Sequence, residues 1–455
     1  MLDLRIINGT VVSDGVVRRL DVGIDGGQIT EIEEPGAVAP SRAEIDATGL
    51  HVIPGAVDVH FHCRAPSRTQ GGDFASETAA AAAGGVTTVF EMPIAEPACS
   101  DPAVFESRRT LALSQSHVNF ALYSGAVLGT ADHAARMAEL GAIGFKLFMI
   151  APAPGRKREF SGLWATDEGE ILDALSALRG IGLPCVVHAE NERLVRHFAA
   201  RTDADGRPTR PPVIEATAIA TIAALAKEAR ADVHIAHVSS RAALDALRGA
   251  RALGATVTAE TCPQYLLLDA AAVHEYGAIA KIAPPLRERE DAEALWQALR
   301  ESTIELVASD HSPFPLDEKA GMPWTTAPQG LPTVELLVPT VLGAAATGRL
   351  PLGLAVSYVT AAPAKRFDLY PRKGALQVGS DADVALVRLG GEFSPEPDRL
   401  LTRAAGCAVV FAGIRLDARV ELTLVGGIPV YQGGRLVHEG AGRFTAGSAA
   451  LLEHV

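Results

Sequence analysis

The chain runs to 455 residues with 54 acidic and 41 basic side chains, a formal net charge of −13. Hydrophobic residues make up 48% and charged ones 21%, which supports a large core and excludes wholesale disorder. The acidic balance argues against nucleic acid or an anionic membrane surface as partner. Cys63, Cys99, Cys185, Cys262 and Cys407 form no CxxC pair. Neither a disulfide framework nor a thiolate zinc site is expected, and a reducing cytoplasm is the natural compartment. The opening Met1-Leu-Asp-Leu-Arg lacks the basic and apolar regions of a signal peptide. The uncharged stretch 110–131 carries Ser, Gln, His and Asn, so no membrane span is expected.

Residues 1–53 read as short strands with turn signals. Asn8-Gly9, between Arg5-Ile-Ile and Thr10-Val-Val, predicts a hairpin, and Gly26-Gly27 repeats the pattern. The middle of the chain alternates short apolar strands with alanine-rich helical stretches. Strands are expected at 57–60, 87–92, 119–123, 144–148, 185–188, 233–237, 256–261 and 304–309. Helical spacing is clearest at 167–180, 214–231 and 241–254, and the alanine run 79–83 also falls in a helix. From 376 onward the chain returns to strands, as in Ala382-Asp-Val-Ala-Leu-Val and Val420-Glu-Leu-Thr-Leu-Val. The expected fold is α/β: a (β/α)8 TIM barrel over 54–375, with a small β-sandwich built from both termini, 1–53 and 376–455. A doubly wound sheet is the rival, because periodicity alone does not close a barrel.

In Asp58-Val-His60-Phe-His62-Cys-Arg64 alternate side chains share one face of a strand, so two imidazoles sit together at its end. Three further strand ends carry similar groups: Val186-Val-His188-Ala-Glu190, Ile235-Ala-His237-Val-Ser239 and Ala308-Ser-Asp310-His311. In a barrel the C-terminal strand ends open onto one shared site, so these groups converge in space. Imidazole and carboxylate together suit Zn, Mn, Fe or Co. Lys146, in Gly144-Phe-Lys-Leu-Phe-Met, ends the fourth strand among bulky apolar residues. A buried ammonium is costly unless paired. Three readings are open for it: a side chain reaching solvent, a partner for a carboxylate, or an Nζ carbamate formed with CO2. His311 either contacts substrate or braces its loop. His51, His117, His133, His197, His234, His274, His438 and His454 show no spacing signal and default to structure or surface. Arg156-Lys-Arg-Glu reads as solvated loop surface rather than an anion-binding lid. Gly71-Gly72 and Gly84-Gly85 make no phosphate cradle.

Taken together, Pro54-Gly-Ala-Val-Asp-Val-His-Phe-His, Gly144-Phe-Lys, His188-Ala-Glu-Asn, His237-Val-Ser-Ser, Glu260-Thr-Cys-Pro, Pro284-Pro-Leu-Arg and Ser309-Asp-His-Ser-Pro resemble the amidohydrolase superfamily. The resemblance is to its cyclic-amide hydrolases: allantoinase, dihydroorotase and hydantoinase (dihydropyrimidinase). It runs from Asn8-Gly9 to Gly379-Ser-Asp-Ala-Asp-Val-Ala. It implies two divalent transition metal ions, Zn first, with Mn, Co or Fe as alternatives. His60, His62, Lys146 and Asp310 would hold one ion; N6-carboxylated Lys146, His188 and His237 would hold the other. A metal-bridging hydroxide would then attack the ring carbonyl, with Asp310 carrying the proton to the departing nitrogen.

The same resemblance points to substrate contacts, and the chain departs from each relative somewhere. Arg64 looks like the dihydroorotase arginine that pairs with a substrate carboxylate. Ile94 after Glu91-Met-Pro93, and Ala283 before Pro-Pro, stand where dihydroorotases favour Asn. Gln329 falls where hydantoinases carry a substrate-contacting Asn. Ala280-Lys-Ile-Ala-Pro-Pro-Leu-Arg and Lys319-Ala-Gly look more like allantoinase, and Cys262-Pro-Gln264-Tyr like hydantoinase. The expected substrate is a small cyclic amide, allantoin or another five-membered ureide first, then dihydroorotate or a hydantoin. The expected assembly is a homo-oligomer, dimer or tetramer. In another class, the chain would be a non-catalytic homologue kept for assembly, which the filled ligand positions disfavour. A single-metal deaminase or acyclic amidase is weakened by the Lys146 motif.

Overall fold

The computed structural model describes residues 1–450. Both termini build one sandwich. Its first sheet orders strands Gln28–Glu33, Asp21–Asp25, Leu2–Ile7 and Ser41–Asp46. The second runs Arg435–Leu436, Ile428–Gln432, Leu416–Val425, Val384–Phe393, His51–Pro54, Thr10–Ser13 and Val16–Arg19. Leu4, Ile6, Val22, Ile24 and Ile29 of one sheet meet Val52, Leu386, Leu422 and Leu424 of the other in a separate apolar core.

Gly26-Gly27 closes a two-residue hairpin as expected, with Asp25 opposite Gln28 and both glycines at positive φ. Asn8-Gly9 does not. Leu2–Ile7 and Thr10–Ser13 lie in different sheets, so the pair is a crossing point between layers. Asn8 takes the left-handed turn (φ 63°), and a Cβ on Gly9 would collide with Val52 Cγ2. An Asn-Gly pair supplies a reversal, but tertiary packing decides what the two strands pair with.

The barrel strands are β1 (Ala56–Phe61), β2 (Val86–Glu91), β3 (Asn119–Leu122), β4 (Phe145–Phe148), β5 (Cys185–His188), β6 (Val233–Ile235), β7 (Val257–Thr261) and β8 (Leu306–Val307). All described neighbours pair in parallel. After β3 the chain hands over at Tyr123, whose N–H donates to Glu91 O while that of Ser124 donates to Gly144 O. The ring closes through a parallel bridge between Phe61 and His311, and His62 N–H donates to His311 O at 2.9 Å. β8 is shorter than its apolar run predicts, because beyond it Ser309 N–H donates to the Asp58 carboxylate (2.8 Å) instead of to a neighbouring backbone. β6 likewise ends early: His237 adopts φ 39°, which no strand continues.

Helices Glu168–Ala177, Val213–Ala229 and Arg241–Ala252 match the predicted spacing, the first and third capped by Asp167 and Ser240 side chains. The alanine run lies in Phe74–Ala83, whose Asp73 and Ser76 form a capping box. Residues 440–447 leave the sandwich and return to the barrel, where Phe444 packs on Phe105 and Phe120. All five cysteines are buried and unpaired. Among the described residues no helix is long and apolar enough to cross a membrane.

Candidate active site

Each strand end contributes its side chain for a local reason. His60 sits within β1, and His62 follows it two residues on, so period-two alternation puts both on the inward face. His237 and Asp310 follow β6 and β8 in left-handed conformations (φ 39° and 46°), which turn their side chains out of the strand direction toward the barrel axis. The result is a cluster of His60, His62 and Asp310 whose ligand atoms lie within 4.8 Å of one another. Asp310 Oδ1 is 3.3 Å from His60 Nε2 and 3.8 Å from His62 Nε2.

A second group faces it. His188 Nδ1 and His237 Nε2 oppose each other at 2.9 Å, and the His237 ring lies 5.3 Å from that of His60. Glu190 accepts from His188 Nε2 at 2.9 Å, so Nδ1 is the inward nitrogen. Arg210 in turn lies 3.4 Å from Glu190. Burial pushes Glu190 up, but Arg210 and the His188 hydrogen bond overcome it and hold the carboxyl down at about 2.

Lys146, the second residue of β4, is fully buried, its Nζ 5.0 Å from the Phe148 ring centroid and without a hydrogen-bond partner. Of its three sequence readings, the solvent-reaching one is excluded. Burial lowers its pKa, which raises the fraction of free amine able to react with CO2. Burial also depresses all four imidazoles, His60 to about 4, so each is neutral and keeps a lone pair for a ligand. Burial raises Asp310 well above the usual carboxylate range. Neutral imidazoles, a carboxyl and an orphaned buried amine, in so little space, form a donor set that fits divalent transition metal.

Arg64, Ile94, Ala283 and Gln329 line the same cavity of about 100 Å³ as the histidines and Asp310. It opens into a cleft of about 650 Å³ bounded by Phe148, Phe160, Ala283 and Gln329. Arg64 is 5% exposed, stacks 4.1 Å over Phe314 and donates to Ser312 Oγ, while its Nε has no partner. Arg156 also reaches the cavity wall, paired with Glu159. The surface reading of that basic run therefore holds only for the exposed Lys157 and Arg158.

His311 does not face the cavity. Its Nε2 pairs with Glu77 at 2.8 Å, its Nδ1 accepts from Thr333 N–H, and its ring stacks on Phe61. Of the two readings for it, the brace is the one the geometry supports, and the substrate contact is withdrawn. His234 is not filler: it is buried and bonds Glu260, which also holds His60 Nδ1. Sequence reasoning missed Glu260, Glu190, Asp58 and Gln264 as supporting groups. The available signal was polar residues on the inward phase of otherwise apolar strands, as in Thr258-Ala-Glu260. His454 lies outside the described residues.

The amidohydrolase family model matches residues 51–430. An allantoinase of Rubrobacter xylanophilus is 38% identical over 451 residues, covering 97% of both chains. An L-hydantoinase of Paenarthrobacter aurescens is 31% identical and covers 98% of both. The solved L-hydantoinase (dihydropyrimidinase) of Arthrobacter aurescens superposes with a TM-score of 0.91 at 30% identity, covering 98% of this chain and all of that one. With the (β/α)8 barrel, the appended sandwich and this match over most of its length, the chain belongs to the amidohydrolase family.

Proposed function

We propose that the chain hydrolyses a ring amide of a small cyclic ureide, allantoin first, with two divalent transition metal ions. His60, His62 and Asp310 would hold one ion and His188 and His237 the other, with Lys146, carboxylated on Nζ, shared between them. Zn is the first choice, Mn, Co or Fe the alternatives. The observation that carries this reading is the fully buried, unpartnered Lys146 amine beside four neutral inward-facing imidazoles. No apolar core gains from such an amine, whereas a carbamate turns it into an oxygen ligand.

When bound, such ions lower the pKa of water and polarise a carbonyl. The chain's own groups do the rest. Asp310 directs Oδ1 to His60 and His62 and accepts from Gln264 at Oδ2. It takes a proton from the attacking water and returns it to the ring nitrogen as the C–N bond breaks, leaving a carboxylate and a ureido group. Phe148, Phe160 and Ile94 line the cavity with apolar surface that keeps bulk water from the ring. The allantoinase relatives support the substrate choice. Five unpaired cysteines support a cytoplasmic setting, and the family resemblance a homodimer or homotetramer.

A second reading, dihydroorotate, rests on Arg64: no carboxylate pairs with this buried guanidinium among the described residues, and its Nε is free. A hydrolysis panel of allantoin, hydantoin, dihydrouracil and dihydroorotate tests both. Allantoin turned over fastest supports the first reading, dihydroorotate the second, and no turnover of any of them overturns both.

A further inference from the structure

A line of polar side chains crosses the otherwise apolar barrel interior. It starts on the face opposite the cavity, where Asp232 precedes β6 and is 46% exposed at its side chain. Arg366, the last residue of helix Ala361–Arg366, donates from Nη1 and Nη2 to the two Asp232 oxygens at 2.8 and 2.7 Å. Its third donor, Nε, goes to Thr258 Oγ1 at 2.7 Å. Thr258 stands opposite His234 in the β6–β7 register, and its Oγ1 is 2.7 Å from His234 Nδ1. His234 Nε2 is 3.1 Å from Glu260 Oε2, and Glu260 Oε1 meets His60 Nδ1.

The direction of this chain is set at both ends. A guanidinium only donates, so Thr258 Oγ1 accepts from Arg366, and a carboxylate only accepts, so Glu260 takes a hydrogen from His234 Nε2. Thr258 Oγ1 and His234 Nδ1 share the hydrogen bond between these two fixed points. The other Glu260 oxygen accepts from His60 Nδ1–H. His60 is left with its lone pair on Nε2, the nitrogen that faces Asp310. A carboxylate behind one metal-binding histidine is a common arrangement. Here that carboxylate is itself held by a line of four residues that reaches an ion pair on the outer face.

We propose that Asp232, Arg366, Thr258 and His234 are positioning residues, a hydrogen-bond chain that holds the Glu260 carboxylate in place from the far side of the barrel and so keeps the His60 proton on Nδ1 and Nε2 free to bind metal. The proposal rests on the metal reading of the site. Its first test is Thr258→Val, which removes the hydroxyl and keeps the side chain's shape. With the loaded protein in a chelator, Thr258→Val is expected to release metal about tenfold faster than wild type, while Thr258→Ser restores the wild-type rate. Neutron diffraction of the metal-free protein is expected to find the His60 proton on Nδ1 in wild type and shared between the two nitrogens in Thr258→Val. Wild-type release together with an unchanged His60 proton in Thr258→Val would overturn the proposal. Should that variant fail to fold, Arg366→Gln breaks the same chain from its outer end and carries the same expectations. A wild-type protein that takes up no metal contradicts the proposed function instead, and leaves the proton position to judge the chain by itself.

Discussion

The two halves of the candidate site are braced differently. His60, His62 and Asp310 are supported from within the barrel: Glu260 holds His60, and Asp58 ties β1 to the end of β8 through Ser309. His188 and His237 are supported from the mouth, where Glu190 leans on Arg210, a residue that also lines the substrate cleft. The first half is therefore held by groups that line neither the cavity nor the cleft. The second is tied to a wall of the cleft, so a ligand that pressed on Arg210 would also act on the geometry of that half.

In the proposed centre Lys146 would serve both halves, and breaking it should erase the contrast altogether. Lys146→Ala is expected to lose metal from both and to drop kcat/KM by about a thousandfold or more, since each 1.4 kcal/mol of lost transition-state stabilisation is a factor of ten. Hydrolysis at the wild-type rate by that variant would remove the carbamate from the account. The supporting carboxylates separate the halves. Glu260→Gln and Glu190→Gln are each expected to weaken metal binding by about 10- to 100-fold. Only Glu190→Gln should also raise KM, because only Glu190 is linked to the cleft through Arg210. Equal KM changes in the two variants would collapse the distinction.

Smaller effects sharpen it. Arg64→Ala is expected to reduce dihydroorotate turnover by about 10- to 100-fold, the worth of a charged hydrogen bond, and allantoin turnover by less. An equal loss on both substrates would make Arg64 a support for Ser312 rather than a reader of substrate charge. The smallest effect is on stability. The Glu190 carboxyl is held at about 2 against an ordinary 4.5. A depressed folded pKa gives stability that is complete above the unfolded value and is lost as pH falls from 4.5 toward 2. Thermal melts of the metal-free protein should fall through that window, and Glu190→Gln should lack this part of the decline.

What the sequence made legible follows from how local each signal is. Strand alternation is a property of a few residues, so the inward pair His60 and His62 could be read directly, and the barrel rule then brought in His188, His237 and Asp310. Glu260 and His234 could not be assigned a role that way: their partners exist only once β1, β6 and β7 are side by side. His311 misled because it neighbours Asp310 in sequence, while strand alternation sends its ring to the opposite side, onto Glu77. Asn8-Gly9 misled for a related reason, since a turn signal does not say which sheet the next strand joins.

The central claim is that these two differently braced halves form one binuclear metal site joined by Lys146. Elemental analysis of wild-type protein purified without chelator, alongside Lys146→Ala, tests it most directly. The account predicts close to two equivalents of transition metal per wild-type chain and almost none in the variant. A folded wild-type protein that opens the ring with no bound metal, or a variant that keeps both equivalents, would contradict it.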